Sequence, residues 1–344
     1  MTKFVEIHAI QPLGPNCINR DDTGSPKTIM LNGTLRARVS SQAWKKAMRD
    51  MMRDMDTTGL GVRTKRVAEE VARRAGTDVK TVKPVLALAK AGLEGSAKSD
   101  EAGALVLIGS NTLDRLATLA GEYAQADDPK AWLADKTHAK AVRTIVGQDH
   151  AVDLALFGRM VASNPEYGVQ AAANVAHAIG VGAFDPEYDF YSAMDDLQRD
   201  GESGGAMIGD IAYGDATVYR YAVVDMGRLE SNLADHDTAV KAAILFARTF
   251  LMSEPRGRVS SFASRTLPSW FRVQISGFPL SLADAFTSKP VSGDDVPGEA
   301  ARLCREHADG LARAYGITPE WSYDVEADGK GTLADALAGL EAGL

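Results

Sequence analysis

The sequence predicts an α+β fold in which strands near both ends of the chain flank a long helical stretch. Three observations carry this: an alternating strand and a hairpin within the first 40 residues, Ala- and Leu-rich helical segments over 65–147, and a return to strand patterns from residue 152. With 344 residues, 45% hydrophobic and 24% charged, the composition is that of a soluble globular chain with room for one large domain or two smaller ones. No apolar run approaches the roughly 20 residues of a membrane helix, and residues 1–10 are too short and polar for a secretory signal. A cytoplasmic protein without a membrane partner is expected.

Residues 3–10 read as the first strand, with Val5, Ile7 and Ala9 on one face and Phe4, Glu6 and His8 on the other. A long loop rich in Gly, Pro, Asn and Asp follows, carrying Arg20 and Lys27, and loops of this length are commonly functional. Asn32-Gly33 between residues 28–31 and 34–39 is a two-residue hairpin turn, which places Arg36 and Arg38 on one strand face. Ser40 or Ser41 then caps a helix whose stripe is Ala43, Trp44, Ala47, Met48 and Met51, with Lys45 and Arg49 projecting together at i and i+4. The helical stretch that follows is broken by Gly76, Pro84, residues 92–95 and Pro129, and a short strand at 105–108 interrupts it.

Strands are expected at 152–157, 174–181 and 217–224. Residues 182–216 combine six glycines with Phe184, Tyr188, Phe190, Tyr191, Met207, Ile208 and Tyr213, which suits either an arm that inserts into a partner or a hairpin packed on its own core. Further on, helices are expected at 238–252, from 281, at 297–315 and at 333–344, with a strand at 269–275.

The net charge of −8 argues against a nucleic-acid partner until its distribution is read. Between Arg20 and Arg66 stand 11 basic residues against five acids, so that window is +6 and the other 297 residues sum to −14. A positive region on an acidic body attracts a polyanion locally. Cys17 and Cys304 lack metal-ligand neighbours and are read as structural. There is no phosphate loop, dinucleotide fingerprint, paired-histidine motif or Gly-x-Ser-x-Gly elbow, so neither cofactor nor metal is expected. His8 and His177 are read as satisfied strand residues, and the adjacent pairs Asp21-Asp22 and Asp195-Asp196 as loop solvation or caps. Strands around a helical insertion with a basic loop beside them suggest an RNA-binding sheet that offers an open face.

Longer motifs add a resemblance. Residues 7–22 (IHAIQPLGPNCINRDD) and 36–49 (RARVSSQAWKKAMR), with VDLALFGRM at 152–160, AHAI from 176, MDDLQ and VYRYAVV, closely resemble the CasC family. That family supplies the backbone subunit of the type I-E CRISPR surveillance complex Cascade, within the RAMP superfamily. The resemblance implies an RRM-like (ferredoxin-like) palm at 1–64 and 148–344, helical fingers at 65–147 and a thumb hairpin at 182–219. It implies a non-catalytic subunit that polymerises head to tail along CRISPR RNA, beside the large, small and guide-end-capping subunits, and presents the guide to a target DNA strand. By motif, Arg20, Lys27, Arg38, Ser40, Gln42, Lys45 and Arg49 are expected to contact RNA phosphates. Phe190, Tyr191, Met207 and Ile208 are expected to wedge around a displaced nucleotide. At 163–168 this chain carries Asn164, Pro165, Glu166 and Tyr167 where some members present methionines. Two other readings stand beside this one: a metal-dependent ribonuclease using Asp21 or Asp22, as in related type III backbone subunits, and a helical scaffold that binds no RNA.

Overall fold

The computed structural model describes residues 3–55, 59–96, 98–161, 164–193 and 207–344. Ser163, Asp195, Asp196, Gly201, Gly204, Gly205 and the MDDLQ motif lie outside the described residues. The architecture is α+β, as expected, and the chain divides into two compact units: residues 1–52, 175–223 and 243–344, and residues 53–174 with 224–242.

The first unit is built on one sheet. β1 (Phe4–Pro12) is central, and the hairpin β2 (Thr28–Leu31) and β3 (Thr34–Val39) forms as the Asn-Gly turn requires, with φ of 44° at Asn32 and 76° at Gly33. The helix α1 (Ser41–Asp54) follows directly. The main path of the sheet runs β12-β11-β1-β10-β7-β3-β2, where β7 is Ala178–Gly180, β10 Thr217–Asp225, β11 Trp270–Ser276 and β12 Trp321–Glu326. β11 is antiparallel to β1, pairing Ile7 with Val273 and Ala9 with Phe271.

Residues 5–11 and 218–224 are buried throughout, so both strands are covered on both faces. On one face Ile10, Tyr219, Tyr221 and Trp270 pack against Ala300, Ala301 and Cys304 of α11 (Val296–Tyr315). On the other, Arg220 of β10 is sandwiched between Trp44 of α1 and Phe250 of α9 (His236–Met252), its guanidinium carbon 3.7 Å and 4.4 Å from the ring centres. The expected open RNA-binding face is therefore absent from these central strands: helices occupy both sides. The buried carboxylate of Glu6 is held by four donors, as burial of a charge demands. Glu6 accepts from Tyr221 Oη, Ser276 Oγ, Gln274 Nε2 and Leu280 N.

The second unit pairs β4 (Gly61–Thr64) with β5 (Val106–Gly109) and surrounds them with α2 (Val67–Ala75), α3 (Val79–Ala87), α4 (Ser110–Ala124), α5 (Pro129–Ala134) and α6 (Lys136–Gly147). Its boundaries differ from the expected fingers. Residues 53–64 and 148–174, assigned to the palm from the sequence, belong here because β4 pairs β5 and because Arg159 is locked into this core. Arg159 ion-pairs with Asp149 at 2.9 Å and donates to the carbonyls of Val146, Leu107 and Tyr167.

Residues 152–157, expected as a strand, form the helix α7 (Val152–Phe157). A six-residue apolar run does not reveal its period. Asp153 in its first turn accepts from Gly61 N at 2.6 Å, and Gly158 at φ 78° ends it. The expected strand 174–181 is split into the short β6 (Ala173–Val175) and β7. The helix α8 (Met226–Leu233) and the strand β12 were not expected, whereas α12 (Leu333–Gly343) was.

Residues 182–219 contain a separate antiparallel ribbon of β8 (Glu187–Ala193) and β9 (Met207–Tyr213). It is anchored at its base, where Asn16 of the first loop bridges Gly214 and Phe184 N donates to Leu35 O.

Candidate nucleic-acid interface

The first loop folds back on itself. Arg20 bridges Pro26, and Lys27 N donates to Asn19 O at 2.9 Å. Asp21 organises the tip, its Oδ1 accepting from Thr23 N, Thr23 Oγ1 and Ser25 N, and these bonds hold its carboxyl below the usual carboxylate range. Arg20 and Asp22 stay exposed.

The loop is tied to the start of α1. Ser40 N donates to Asn19 Oδ1 at 2.8 Å, while Ser40, itself buried, accepts from Ala43 N through both its carbonyl and its hydroxyl. Arg38 N donates to Lys27 O, and Arg38 Nε to Thr28 O. Arg38 Nη1 also donates to His177 Nδ1 at 3.2 Å. Guanidinium has no acceptor, so Nδ1 carries no proton in this pair and His177 is neutral. Burial, followed by the charges of Arg38 and Lys27, pulls the His177 pKa down. Lys27, Arg38 and His177 thus share one small surface beside the capped end of α1. His177 was read as a satisfied strand residue; it is instead an exposed imidazole next to two cations.

The other expected phosphate contacts are distributed unevenly. Gln42 is exposed and Lys45 half-buried, with burial lowering the Lys45 ammonium pKa. Arg49 does not project with Lys45: it is only 8% exposed and is partnered within the chain. Arg36, on the same strand face as Arg38, is buried and spends its guanidinium on the carbonyls of Gly180, Val181 and Phe286. The +6 window is also divided, since Arg63, Lys65 and Arg66 belong to the second unit, where Arg66 pairs with Glu69 and Glu101.

In the ribbon, register assigns the four apolar candidates to two faces. Phe190 stands opposite Asp210 and Ser192 opposite Ile208, so Phe190 and Ile208 share a face with Tyr188. Tyr191 opposite Gly209 and Ala193 opposite Met207 lie on the other. Phe190 is 69% exposed, and Tyr188, Met207 and Ile208 are comparably open. Tyr191 is half-buried over Gly209, where a β-carbon would meet its ring at 2.8 Å. Tyr188 is a further exposed aromatic, outside the set that the family motifs picked out.

In the second unit Tyr167 is buried and donates to Ala89 O, so this side chain of the 163–168 segment faces the unit's own core. Met160, one residue after the buried Arg159, is 87% exposed. Among the described residues no group of three or more His, Cys, Asp or Glu gathers at metal-binding distance, and no helix is long and apolar enough to cross a membrane.

A covered sheet with a cation-bearing loop at the start of α1 and an aromatic ribbon defines a protein suited to holding a polyanionic strand. The chain belongs to the Cas_CT1975 family of CT1975-like proteins, whose model matches residues 5–340. It is similar to a chain of a solved "CRISPR RNA-guided surveillance complex, pre-nicking", at 29% identity and a TM-score of 0.82, over 98% of both chains. A chain of a second "CRISPR RNA-guided surveillance complex" matches at 26% identity and a TM-score of 0.73, over 99% of this chain and 100% of that one. None of the curated proteins matches the chain.

Proposed function

We propose that this protein is a non-catalytic backbone subunit of a type I-E Cascade, within the RAMP superfamily, that binds CRISPR RNA in the cytoplasm. The observation that carries the reading is the convergence of Lys27, Arg38 and His177 on one surface beside the Ser40-capped start of α1. The similarity to chains of RNA-guided surveillance complexes over nearly the whole length supports it.

The chemistry follows from the side chains. Arg38 offers a planar fork to phosphate oxygens, Lys27 and Lys45 mobile point charges, and Gln42 a neutral donor. Each phosphate they neutralise releases counterions, which is the driving force for gripping a strand without reading its bases. The exposed Phe190, Met207 and Ile208, with the half-buried Tyr191, supply apolar surface to separate or stack bases, worth about 1–3 kcal/mol per base. Copies of the chain then line up along one guide, with the large, small and guide-end-capping subunits beside them. The displayed bases pair with a target DNA strand, so sequence is read by base pairing.

The runner-up is a metal-dependent ribonuclease using Asp21 or Asp22. Asp21 Oδ1 is committed to three hydrogen bonds inside its own turn, which favours the structural role for that residue. Purification of the particle from cells expressing a CRISPR array tests both readings. A discrete guide-length RNA on a denaturing gel supports the backbone role, and protein free of RNA contradicts it. Regularly spaced cuts in complementary RNA with magnesium, abolished by Asp21→Ala or Asp22→Ala, would establish the nuclease instead.

A further inference from the structure

Residues 253–266 join α9 to β11 and carry Arg256, Arg258 and Arg265 against a single acid, Glu254. That acid is turned inward. Its Oε2 accepts from Gln11 Nε2 at 3.2 Å and Thr266 N at 3.0 Å, while Arg220, bonded to Gln11 Oε1, lies near enough to stabilise its charge. A buried network therefore pins both ends of the segment.

Its middle is pressed onto the first loop. A β-carbon at Gly257 would lie 2.4 Å from Ile18 O and 2.8 Å from Cys17 O, and Gly257 lines one open recess together with residues 18–24. Arg258 follows at φ 51° and Ala263 at φ 47°, left-handed conformations that are unfavourable for a non-glycine residue and tend to persist at functional sites. Arg258 Nε is buried with no partner among the described residues, and the charges of Arg258 and Arg20 both bear on the Cys17 thiol. Farther along, Phe262, the last residue of the short helix α10 (Val259–Phe262), packs at a tilt against Tyr213 of β9, ring centres 5.4 Å apart. The segment thus reaches from the first loop to the base of the ribbon.

Residues 13–27 are neutral, with Arg20 and Lys27 balanced by Asp21 and Asp22, so the excess positive charge at this place comes from 253–266. Pressed against the first loop at Gly257, that excess gives this place a local attraction for a polyanion that the first loop alone does not supply.

We propose that residues 253–266 form a second phosphate-binding wall, in which Arg258 and Arg265 contact the ribose-phosphate strand that Lys27 and Arg38 hold. This rests on the RNA-binding reading above. The test is the salt dependence of guide-RNA binding by the purified full chain, measured by filter binding over a KCl series for wild type, Lys27→Ala, Arg258→Gln and Arg265→Gln. Each single-strand phosphate deprived of its cation flattens the log–log slope by roughly 0.7, and the proposal predicts this for both arginine variants as well as for Lys27→Ala. Arg265 is exposed, so Arg265→Gln keeps its unfolding midpoint and remains informative if Arg258→Gln fails to fold. A flattened slope for Lys27→Ala alone overturns the second wall and leaves the RNA reading standing. Unchanged slopes in all three overturn both. Failure of copies to assemble with the RNA slope intact would assign the segment to an acidic protein surface, against the proposal.

Discussion

Arg38 and His177 are joined by a 3.2 Å hydrogen bond in which the arginine donates and the imidazole accepts through Nδ1. The pair puts an uncharged, titratable ring beside two cations on the surface assigned to RNA phosphates. Its protonation therefore reports on what occupies that surface.

In the free protein the His177 pKa lies below the ordinary histidine value, because burial and then the charges of Arg38 and Lys27 disfavour the imidazolium. A bound phosphate reverses the local potential, so guide RNA raises the His177 pKa. NMR titration of the imidazole with and without RNA measures this directly. A pKa indifferent to RNA would remove the phosphates from this surface.

His8 gives a stability prediction of definite sign. It is fully buried beside Tyr219 Oη, and burial pushes its pKa down to about 3. The unfolded chain binds the proton near pH 6.5 and the folded chain does not. Stability is therefore full above about pH 6.5 and falls as pH drops toward about 3, by at most about 1.4 kcal/mol per pH unit from this group. Urea midpoints at about pH 7 and about pH 5, on either side of that unfolded-state value, should converge in His8→Gln relative to wild type. Equal pH dependence in both would show that His8 takes up its proton while folded.

Arg220 is a structural cation. Burial lowers its pKa to about 9, and its guanidinium lies between Trp44 and Phe250 while donating to Gln11 Oε1 and Phe250 O. Arg220→Met leaves those acceptors without a donor and should cost on the order of 2–3 kcal/mol, read as a lower denaturant midpoint. A change below about 0.5 kcal/mol, the scale of surface substitutions, would contradict this assignment.

The ribbon separates stability from binding. Phe190 and Ile208 are exposed on one face, so Phe190→Ser with Ile208→Ser leaves the thermal midpoint nearly unchanged. The same double variant weakens guide-RNA affinity by about 1–3 kcal/mol for each base that no longer stacks. A destabilised ribbon with unaltered affinity would make these residues part of the fold.

Local pattern made much of this legible from sequence. Asn32-Gly33 determined the hairpin, period-2 alternation located β1, and the Ser40-Ser41 pair marked the start of α1, because each depends on neighbours within a few residues. Burial of charge did not show through. Arg36 and Arg38 share a strand face, yet one clamps carbonyls and the other reaches the surface, and Arg49 turns inward four residues after Lys45. Those outcomes depend on strands and helices distant in sequence. The short apolar run of α7 carried no readable period, and the three arginines at 256–265 stood outside the basic window until folding brought Gly257 against Ile18.

The most direct test of the central claim is photo-crosslinking of guide RNA in the assembled particle, with the attached peptides identified by mass spectrometry. Crosslinks concentrated in peptides bearing Lys27, Arg38 and Lys45 are the predicted result. Crosslinks confined to α11, which covers the opposite face of the sheet from α1, would contradict it.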